Sequence, residues 1–275
     1  MTREFAVVGD PVEHSLSPAL YRAAFAAHGL EGWSYRRFRV PQGQLEASWE
    51  ALSRRFAGVN VTAPHKVAAC RLATEVTPRA SRCGSVNTVT FRGPASLGDS
   101  TDGAGFRAAL REVGAPPPGR AVILGSGGAA RAVSAELLSA GWMVLLAGRD
   151  RNRAEMVCAE LGPGAFPLAF DHRELAPVLR GVDLLVNTTP VGADGVTTPL
   201  PEVELSPQTA VVDLLYRPAE TALLRSARAS GCRTTSGLGM LVEQAALAFE
   251  SWSGLTAPRD RMLAAVMTLS GSRSS

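Results

Sequence analysis

The amino-acid sequence predicts a two-domain α/β protein. Short apolar runs with strand character alternate with segments of helical periodicity along most of the chain, a pattern typical of mostly parallel sheets covered by helices. A glycine-rich loop follows one of these strands near the middle of the chain. The chain has 275 residues, of which 46% are hydrophobic and 19% charged, and is therefore long and apolar enough for two folded domains.

The composition also excludes several kinds of protein. The net charge is only +3 and the arginines are scattered, so we expect no nucleic-acid partner. The sequence has no basic and apolar leader and no run of roughly 18 apolar residues, which predicts a cytoplasmic protein without a membrane partner. The cysteines lie far apart without a CxxC pair, which indicates reduced thiols and no metal site: Cys70, Cys83, Cys158 and Cys232.

The first hundred residues predict one α/β unit. Strands are expected over residues 4–8, 33–40 and 56–62 and near 84–89, with helices at about 18–29, within 43–56 and from 66 to 72. Residues 99–103 are expected to form a loop. We expect the first domain to comprise residues 1–102 with C-terminal helices from 238–275, and the second to comprise 103–237.

Two serines precede the first helix. Ser15 and Ser17 stand two residues apart before Pro18, a residue that the first turn of a helix tolerates. Ser17 is a candidate N-cap, and both hydroxyls are equally suited to bind an anion at the helix N-terminus. These residues alone leave both interpretations open. The neighbouring His14 is expected to be structural.

Lys66 is the only lysine in the chain, although 28 residues are lysine or arginine. Arginine does not lose its proton in proteins, whereas lysine can. We therefore expect Lys66 to exchange a proton or to donate from a compact ammonium group. Asn60 and Thr62 stand two residues apart in the preceding strand, so their side chains are expected on one face. Asn87 and Asp102 offer further polar groups.

Several motifs of this region are similar, in letters, order and spacing, to the substrate-domain motifs of the shikimate dehydrogenase family. They are Gly9-Asp10-Pro11, His14–Pro18, Gly58–Lys66, Ser85–Thr88 and Thr101–Gly103. The resemblance implies that Lys66 and Asp102 are the catalytic pair and that a further set binds the substrate: Ser15, Ser17, Asn60, Thr62 and Asn87. The chain departs from the family at Tyr21-Arg22, where His-Asn is usual, and we expect this change to affect packing rather than chemistry.

The middle of the chain predicts a dinucleotide site. A buried-type strand over residues 120–124 is followed by the G-x-G-x-x-A sequence of residues 125–130 and by a helix to about residue 140. In this context Gly125 permits a tight turn, Gly127 lets a pyrophosphate approach the backbone, and Ala130 allows close packing of helix and strand. The helix N-terminus then supplies amide groups to the phosphates. We expect a Rossmann-type domain.

The end of the next strand, over residues 143–147, indicates which cofactor is used. An arginine there favours the 2′-phosphate of NADP, whereas an acidic residue favours NAD. The chain carries Arg149, Arg151 and Arg153, which favour NADP, with Asp150 between them. The family pattern is similar to N-R-T-x-x-R, which Arg149 and Arg153 match, while Gly148 and Asp150 depart from it.

Later segments complete the expected site. Strands over 183–187 and 210–213 end in loops at the edge of a sheet where ligands usually bind. The resemblance implies that Tyr216 reaches the substrate and favours the same role for Gln244, which its sequence context alone leaves open between a core hydrogen bond and a substrate contact. The expected cofactor-binding residues are Gly125, Ser126, Gly127, Gly128, Ala129, Arg149, Arg153, Thr188, Leu214 and Gly237. A final helix is expected near residues 261–269.

The resemblance implies reversible NADPH-dependent reduction of 3-dehydroshikimate to shikimate in aromatic amino-acid (chorismate) biosynthesis, in a cleft between the domains. Lys66 is expected either to transfer a proton or to stabilise an oxyanion. A quinate or aminoshikimate dehydrogenase is a close alternative, and a non-catalytic ligand sensor or a bare NADP-binding redox sensor is a distant one. A monomer and a homodimer are both compatible with the sequence.

Overall fold

The computed structural model describes residues 2–200 and 205–271, which form two compact units. The first unit contains the chain up to Ala104 together with Val242–Leu269, and the second contains Gly105–Leu241. Each unit is built on one six-stranded sheet with helices, so the α/β fold class is confirmed. Within these residues no helix is long and apolar enough to cross a membrane.

The first sheet is mixed. Its strands are β1 (Arg3–Gly9), β2 (Trp33–Arg39), β3 (Gly58–Val61), β4 (Glu75–Val76), β5 (Thr88–Arg92) and β6 (Ala95–Asp99), in the order β2-β1-β3-β5-β6-β4. Strand β1 pairs in parallel with β2 and β3, and β4 pairs in parallel with β6. Strand β5 is antiparallel to both of its neighbours.

The second sheet is entirely parallel. Its strands are β7 (Arg120–Leu124), β8 (Met143–Gly148), β9 (Ala165–Ala169), β10 (Leu184–Asn187), β11 (Ala210–Asp213) and β12 (Arg233–Ser236). They lie in the order β12-β11-β10-β7-β8-β9, which reverses next to β7. This is the strand order of a doubly wound dinucleotide-binding fold, in which ligands bind at the carboxyl ends of the strands near the reversal.

The helices are α1 (Ser17–Ala27), α2 (Leu45–Arg55), α3 (Lys66–Leu72), α4 (Pro78–Cys83), α5 (Asp102–Glu112), α6 (Gly128–Ser139), α7 (Arg151–Leu161), α8 (His172–Leu179), α9 (Ala222–Ala229), α10 (Leu238–Ser253) and α11 (Arg259–Gly271).

Apolar clusters cover the sheets. In the second sheet, alternate residues of β7 enter different clusters, because Val122 and Leu124 point to one face while Ala121 and Ile123 point to the other.

Two expectations for the first unit were wrong in detail, and one hairpin was not expected. Residues 99–103 are not all loop, because Asp99 ends β6 and Asp102 begins α5, which leaves only Ser100 and Thr101 between them. Ser17 is the first residue of α1 rather than its N-cap; Leu16 holds the cap position, without a side-chain hydrogen bond. The hairpin of β5 and β6 was not expected. It turns at Gly93, whose φ of 64° suits glycine.

Candidate active site

The centre of the first unit is an ion pair between Lys66 and Asp102. Lys66 is the first residue of α3 and Asp102 the first residue of α5, and the Lys66 Nζ lies 2.5 Å from the Asp102 Oδ2. Only 14% of the Lys66 side chain and 5% of the Asp102 side chain are exposed. Removing two charges from water is costly, so such a pair persists only when its geometry is good and its other polar atoms are also bonded.

Asn87 satisfies the other oxygen of this carboxylate. Its Nδ2 lies 2.9 Å from the Asp102 Oδ1, 2.9 Å from the Thr101 Oγ1 and 3.2 Å from the Gln244 Oε1. Its Oδ1 accepts a hydrogen bond from the Thr101 backbone N–H at 2.8 Å. The buried Asn87 therefore fixes Asp102 from one side and contacts Gln244 of α10 from the other. These bonds connect Lys66, Asp102, Asn87 and Gln244 into one continuous polar cluster.

Asn60 lies next to this cluster on β3. Its Nδ2 is within 3.3 Å of the Asn87 carbonyl oxygen and within 3.2 Å of the Thr88 Oγ1. Its Oδ1 accepts a hydrogen bond of 2.8 Å from the hydroxyl of Tyr35 on β2. The Tyr35 hydroxyl thereby fixes the orientation of the Asn60 amide, which Asn87 and Thr88 contact from the opposite end.

The two serines lie close together where α1 begins. The Ser17 backbone N–H donates to the Ser15 Oγ at 3.3 Å, and the Ser17 side chain interacts with the Tyr35 hydroxyl. Thr62 follows β3 and accepts no side-chain hydrogen bond from the described residues; its methyl group lies so close to Gly9 that a Cβ there would collide with it. Tyr21, the departure from the family pattern, is fully buried and stacks on Tyr35 with ring centroids 4.1 Å apart.

The second unit presents its glycine loop between β7 and α6. Gly125 has a φ of 112°, and a Cβ there would lie 2.6 Å from the Thr188 Oγ1, so both conformation and space require glycine. Gly127 is the N-cap of α6, and a Cβ there would meet no atom within 4 Å. The backbone of Gly127 is therefore open to a ligand. Ala130 is fully buried against the sheet, as expected for close helix packing.

The end of β8 carries the arginines. Arg151 forms an ion pair with Glu155 at 3.0 Å, whereas Arg149 and Arg153 are exposed and have no carboxylate partner among residues 2–200 and 205–271. Asp150 is the N-cap of α7 and accepts a hydrogen bond from the Arg153 backbone N–H at 3.1 Å. Its carboxylate thus serves the helix, which leaves two uncompensated guanidinium groups beside β8.

A buried polar group lies at the ends of β10 and β11. The Asp213 carboxylate accepts hydrogen bonds from the Thr221 hydroxyl at 2.7 Å and the Asn187 Nδ2 at 3.0 Å. Burial is the largest influence and raises the pKa of Asp213 despite these bonds. The Leu215 backbone N–H also donates to Asp213, at 3.1 Å. This carboxylate therefore fixes the start of the loop that carries Tyr216.

Comparisons with known proteins bear on both units. Residues 7–89 match the family model described as the shikimate dehydrogenase substrate binding domain, and residues 237–267 match the shikimate 5′-dehydrogenase C-terminal domain. The chain is 44% identical to the shikimate dehydrogenase (NADP(+)) of Symbiobacterium thermophilum, over 96% of this chain and 94% of that protein. The chain belongs to the shikimate dehydrogenase family.

Solved structures agree with this membership. Shikimate 5-dehydrogenase from Thermus thermophilus, in complex with NADP(H) and shikimate, superposes with a TM-score of 0.86 at 40% identity and covers 98% of this chain and 99% of its own. Quinate dehydrogenase from Corynebacterium glutamicum, in complex with NAD, has a TM-score of 0.83 at 29% identity, covering 97% and 99%. The resemblance inferred from the sequence motifs is thus confirmed at the level of the family.

Within this shikimate dehydrogenase fold, hydrogen bonds in the first unit link the predicted residues Asn60, Lys66, Asn87, Asp102 and Gln244. Ser15 and Ser17 are bonded to each other, and the Ser17 side chain interacts with the hydroxyl of Tyr35, which donates to Asn60. Thr62 is near them in the chain but takes no part in these bonds. Tyr216 is half-buried in the second unit, and its role as a substrate residue stays a prediction.

The predicted cofactor residues of this family member gather at the carboxyl ends of the parallel strands. The Thr188 hydroxyl donates to the Leu124 carbonyl at 2.7 Å and so connects β10 to β7. Gly237 is required for packing, because a Cβ there would collide with the backbone of Leu214. Ser126 lies in the glycine loop, and Gly128 and Ala129 are the first two residues of α6; all three are partly exposed.

Sequence reasoning missed some residues that support the site. Tyr35 and Arg37 of β2 contact Asn60 and Ser15, and Thr101 contacts Asn87. The sequence holds one usable signal for two of them. Tyr35 and Arg37 are two residues apart in a strand, so their side chains point to the same face. Nothing in the sequence, however, indicates that this face meets the serine loop, which is residues 10–16 between β1 and α1.

Proposed function

We propose that this protein is an NADP-dependent shikimate dehydrogenase, which reversibly reduces 3-dehydroshikimate to shikimate in aromatic amino-acid (chorismate) biosynthesis. The observation that supports this activity best is the continuous hydrogen-bonded cluster of Lys66, Asp102, Asn87 and Gln244. It joins a nearly buried cation with amide groups suited to substrate hydroxyls. Lys66, the only lysine in the chain, is the group in it that can donate a proton.

The second unit has the features that NADP requires. The open backbone at Gly127 and the N-terminus of α6 suit a pyrophosphate. Arg149 and Arg153 suit a 2′-phosphate because neither is neutralised by a carboxylate among the described residues, and the acidic neighbour Asp150 is engaged as a helix cap. When bound, NADPH supplies the hydride that reduces the substrate carbonyl carbon.

The residues of the first unit carry out the rest of the reaction. As the ketone is reduced, negative charge develops on its oxygen, and Lys66 Nζ donates a proton to it or stabilises it as an ammonium. The Asp102 Oδ2 orients Nζ from 2.5 Å. Asn87 in turn holds the Asp102 Oδ1, so the carboxylate cannot rotate away from the lysine. In the oxidation direction Lys66 accepts the hydroxyl proton.

Ser15 and Ser17 are proposed to bind the substrate carboxylate, and Asn60, Thr62, Asn87, Tyr216 and Gln244 to bind its other oxygens. The serines support this role because they lie together where α1 begins, with no side-chain cap at the preceding residue. We further propose that the substrate domain is residues 1–102 completed by 238–275, and the cofactor domain 103–237. The enzyme is expected to act as a monomer or homodimer in the cytoplasm, in line with its four free thiols.

Shikimate is favoured over quinate as the substrate. Several relatives named shikimate dehydrogenase (NADP(+)) are 41–44% identical to this chain, whereas the quinate dehydrogenase of Corynebacterium glutamicum, solved with NAD, is 29% identical. The arginines beside β8 add an independent argument for NADP.

Absorbance at the reduced-nicotinamide band tests this function, with NADP or NAD offered in combination with shikimate or quinate. We expect fast reduction of NADP by shikimate and much slower reaction in the other three combinations. Comparable rates with quinate would indicate a dehydrogenase that accepts both shikimate and quinate. Comparable rates with NAD would refute the role of Arg149 and Arg153. No reaction in any combination would refute the enzyme assignment.

A further inference from the structure

Strand β2 presents one of its faces to the serine loop. Side chains alternate along a strand, so Tyr35, Arg37 and Arg39 point to the same side. Tyr35 donates to Asn60 of β3, whereas Arg37 and Arg39 donate to residues between β1 and α1: Arg37 to the Ser15 carbonyl and Arg39 to the Asp10 carboxylate, at 2.8 Å. The intervening Arg36 points to the other side and pairs with Glu4.

Arg37 holds the backbone of the loop at Ser15. Its Nε and Nη2 both donate to the Ser15 carbonyl oxygen, at 3.1 and 2.7 Å. The rigid fork of a guanidinium makes two such bonds with little loss of conformational freedom. Arg37 therefore fixes the peptide plane next to the hydroxyl that interacts with Ser17.

The charge of Arg37 is also uncompensated. The other arginines of β2 and α2, which are Arg36, Arg39, Arg54 and Arg55, each pair with a carboxylate. Arg37 instead donates to a neutral carbonyl and has no carboxylate partner in the described part of the chain. It therefore leaves a positive charge beside Ser15, where hydroxyl and amide groups already favour an anion.

We propose that Arg37 is a positioning and specificity-determining residue, which holds the Ser15 loop and makes it selective for a substrate that carries a carboxylate. This inference rests on the proposed function, because it takes the serines as the carboxylate site. Arg37 acts through Ser15 and through its charge. It takes no part in proton or hydride transfer.

The test compares the wild type with Arg37→Gln, Arg37→Lys and the control Arg36→Gln, which removes an arginine from the opposite face of the same strand. The two probes are shikimate and its methyl ester, which lacks the charge. Ester affinity is read as KM, or as an inhibition constant if the ester is not oxidised. Initial rates are measured in about 0.05 and 0.5 M NaCl, because a charge effect on an exposed residue is screened by salt.

We expect Arg37→Gln to raise the KM for shikimate about tenfold at low salt while kcat changes less than about twofold. The ester affinity should change less than about twofold, and the salt dependence of the shikimate KM should largely disappear. Arg37→Lys keeps the charge, so its KM for shikimate should lie between those of the wild type and Arg37→Gln. Arg36→Gln should behave as the wild type.

Equal losses of affinity for shikimate and its ester would overturn the inference, since they would indicate a displaced loop without charge selection. An unchanged KM in Arg37→Gln, or an equal effect of Arg36→Gln, would overturn it as well. In each of these cases the wild type still oxidises shikimate, so the proposed function stands. Failure of the wild type to oxidise or bind shikimate would overturn the proposed function and this inference with it.

Discussion

Replacing Asp102 by asparagine changes one atom of the candidate catalytic pair. The carboxylate now accepts from the Lys66 Nζ through Oδ2 and from the Asn87 Nδ2 through Oδ1. An asparagine has only one oxygen, so its amide group must face either the ammonium or the amide of Asn87. In either orientation a donor faces a donor, so no rotation of the side chain satisfies both neighbours.

The loss of stability in Asp102→Asn follows from the burial of the ion pair. Removing one partner of a buried ion pair costs roughly 3–5 kcal/mol, and we expect about 3 kcal/mol for Asp102→Asn, because 14% of the Lys66 side chain still reaches solvent. The loss of orientation of Nζ should lower kcat/KM for shikimate by about 10² to 10⁴.

A matched control is available three residues earlier in the chain. Asp99 is also buried and pairs with Arg79, but it has no hydrogen bond to Lys66. Asp99→Asn should destabilise the fold to a similar extent and lower kcat/KM by less than about tenfold. Urea unfolding and initial rates of NADP reduction measure the two effects. Equal activity losses in both variants, or an Asp102→Asn enzyme that keeps more than about a third of the wild-type kcat/KM, would refute the reasoning.

Three further outcomes are expected. Tyr35→Phe removes the 2.8 Å bond to Asn60, which should cost about 1 kcal/mol and raise the shikimate KM about fivefold; an unchanged KM would contradict this. Gly127→Ala should fold normally, because its Cβ meets no atom, and raise the KM for NADP, whereas Gly237→Ala should fold poorly, as melting temperatures would report. Burial raises the pKa of Asp99, but hydrogen bonds from its arginine and threonine partners outweigh burial and lower it. Its stabilising contribution is therefore present above a pH of about 4 and lost below it, so unfolding free energies of Asp99→Asn should fall less than those of the wild type between pH 5 and 3.

Local patterns were sufficient to predict the dinucleotide unit. Strand β7, the glycine loop and α6 are contiguous in sequence, and each has its own signal: an apolar run, glycines with defined spacing, and helical periodicity. The structure places β7 over the predicted residues and ends α6 within one residue of the predicted end. The helix between successive strands supplies the crossover connection that a parallel pair requires.

The site in the first unit could be predicted by residue type but not by contact. Asn87 and Gln244 are hydrogen-bonded although 157 residues separate them in the chain. No periodicity reports such a contact. The turn-forming neighbours of Asp102 favour a loop, yet the same residue types also start helices, and here Asp102 begins α5. The contacts of β2 with Asn60 and Ser15 could not be predicted either, because Arg37 has the sequence pattern of an ordinary exposed strand residue.

The most direct test of the central claim is the initial rate of NADP reduction by shikimate, measured side by side for the wild type and Lys66→Arg. Arginine keeps the positive charge but does not release a proton in proteins. If Lys66, oriented by Asp102, accepts the hydroxyl proton of shikimate, the wild type reduces NADP rapidly and the variant retains less than about 1% of its rate. A variant with substantial turnover would contradict proton transfer by Lys66, and a wild type that leaves NADP oxidised would contradict the activity itself.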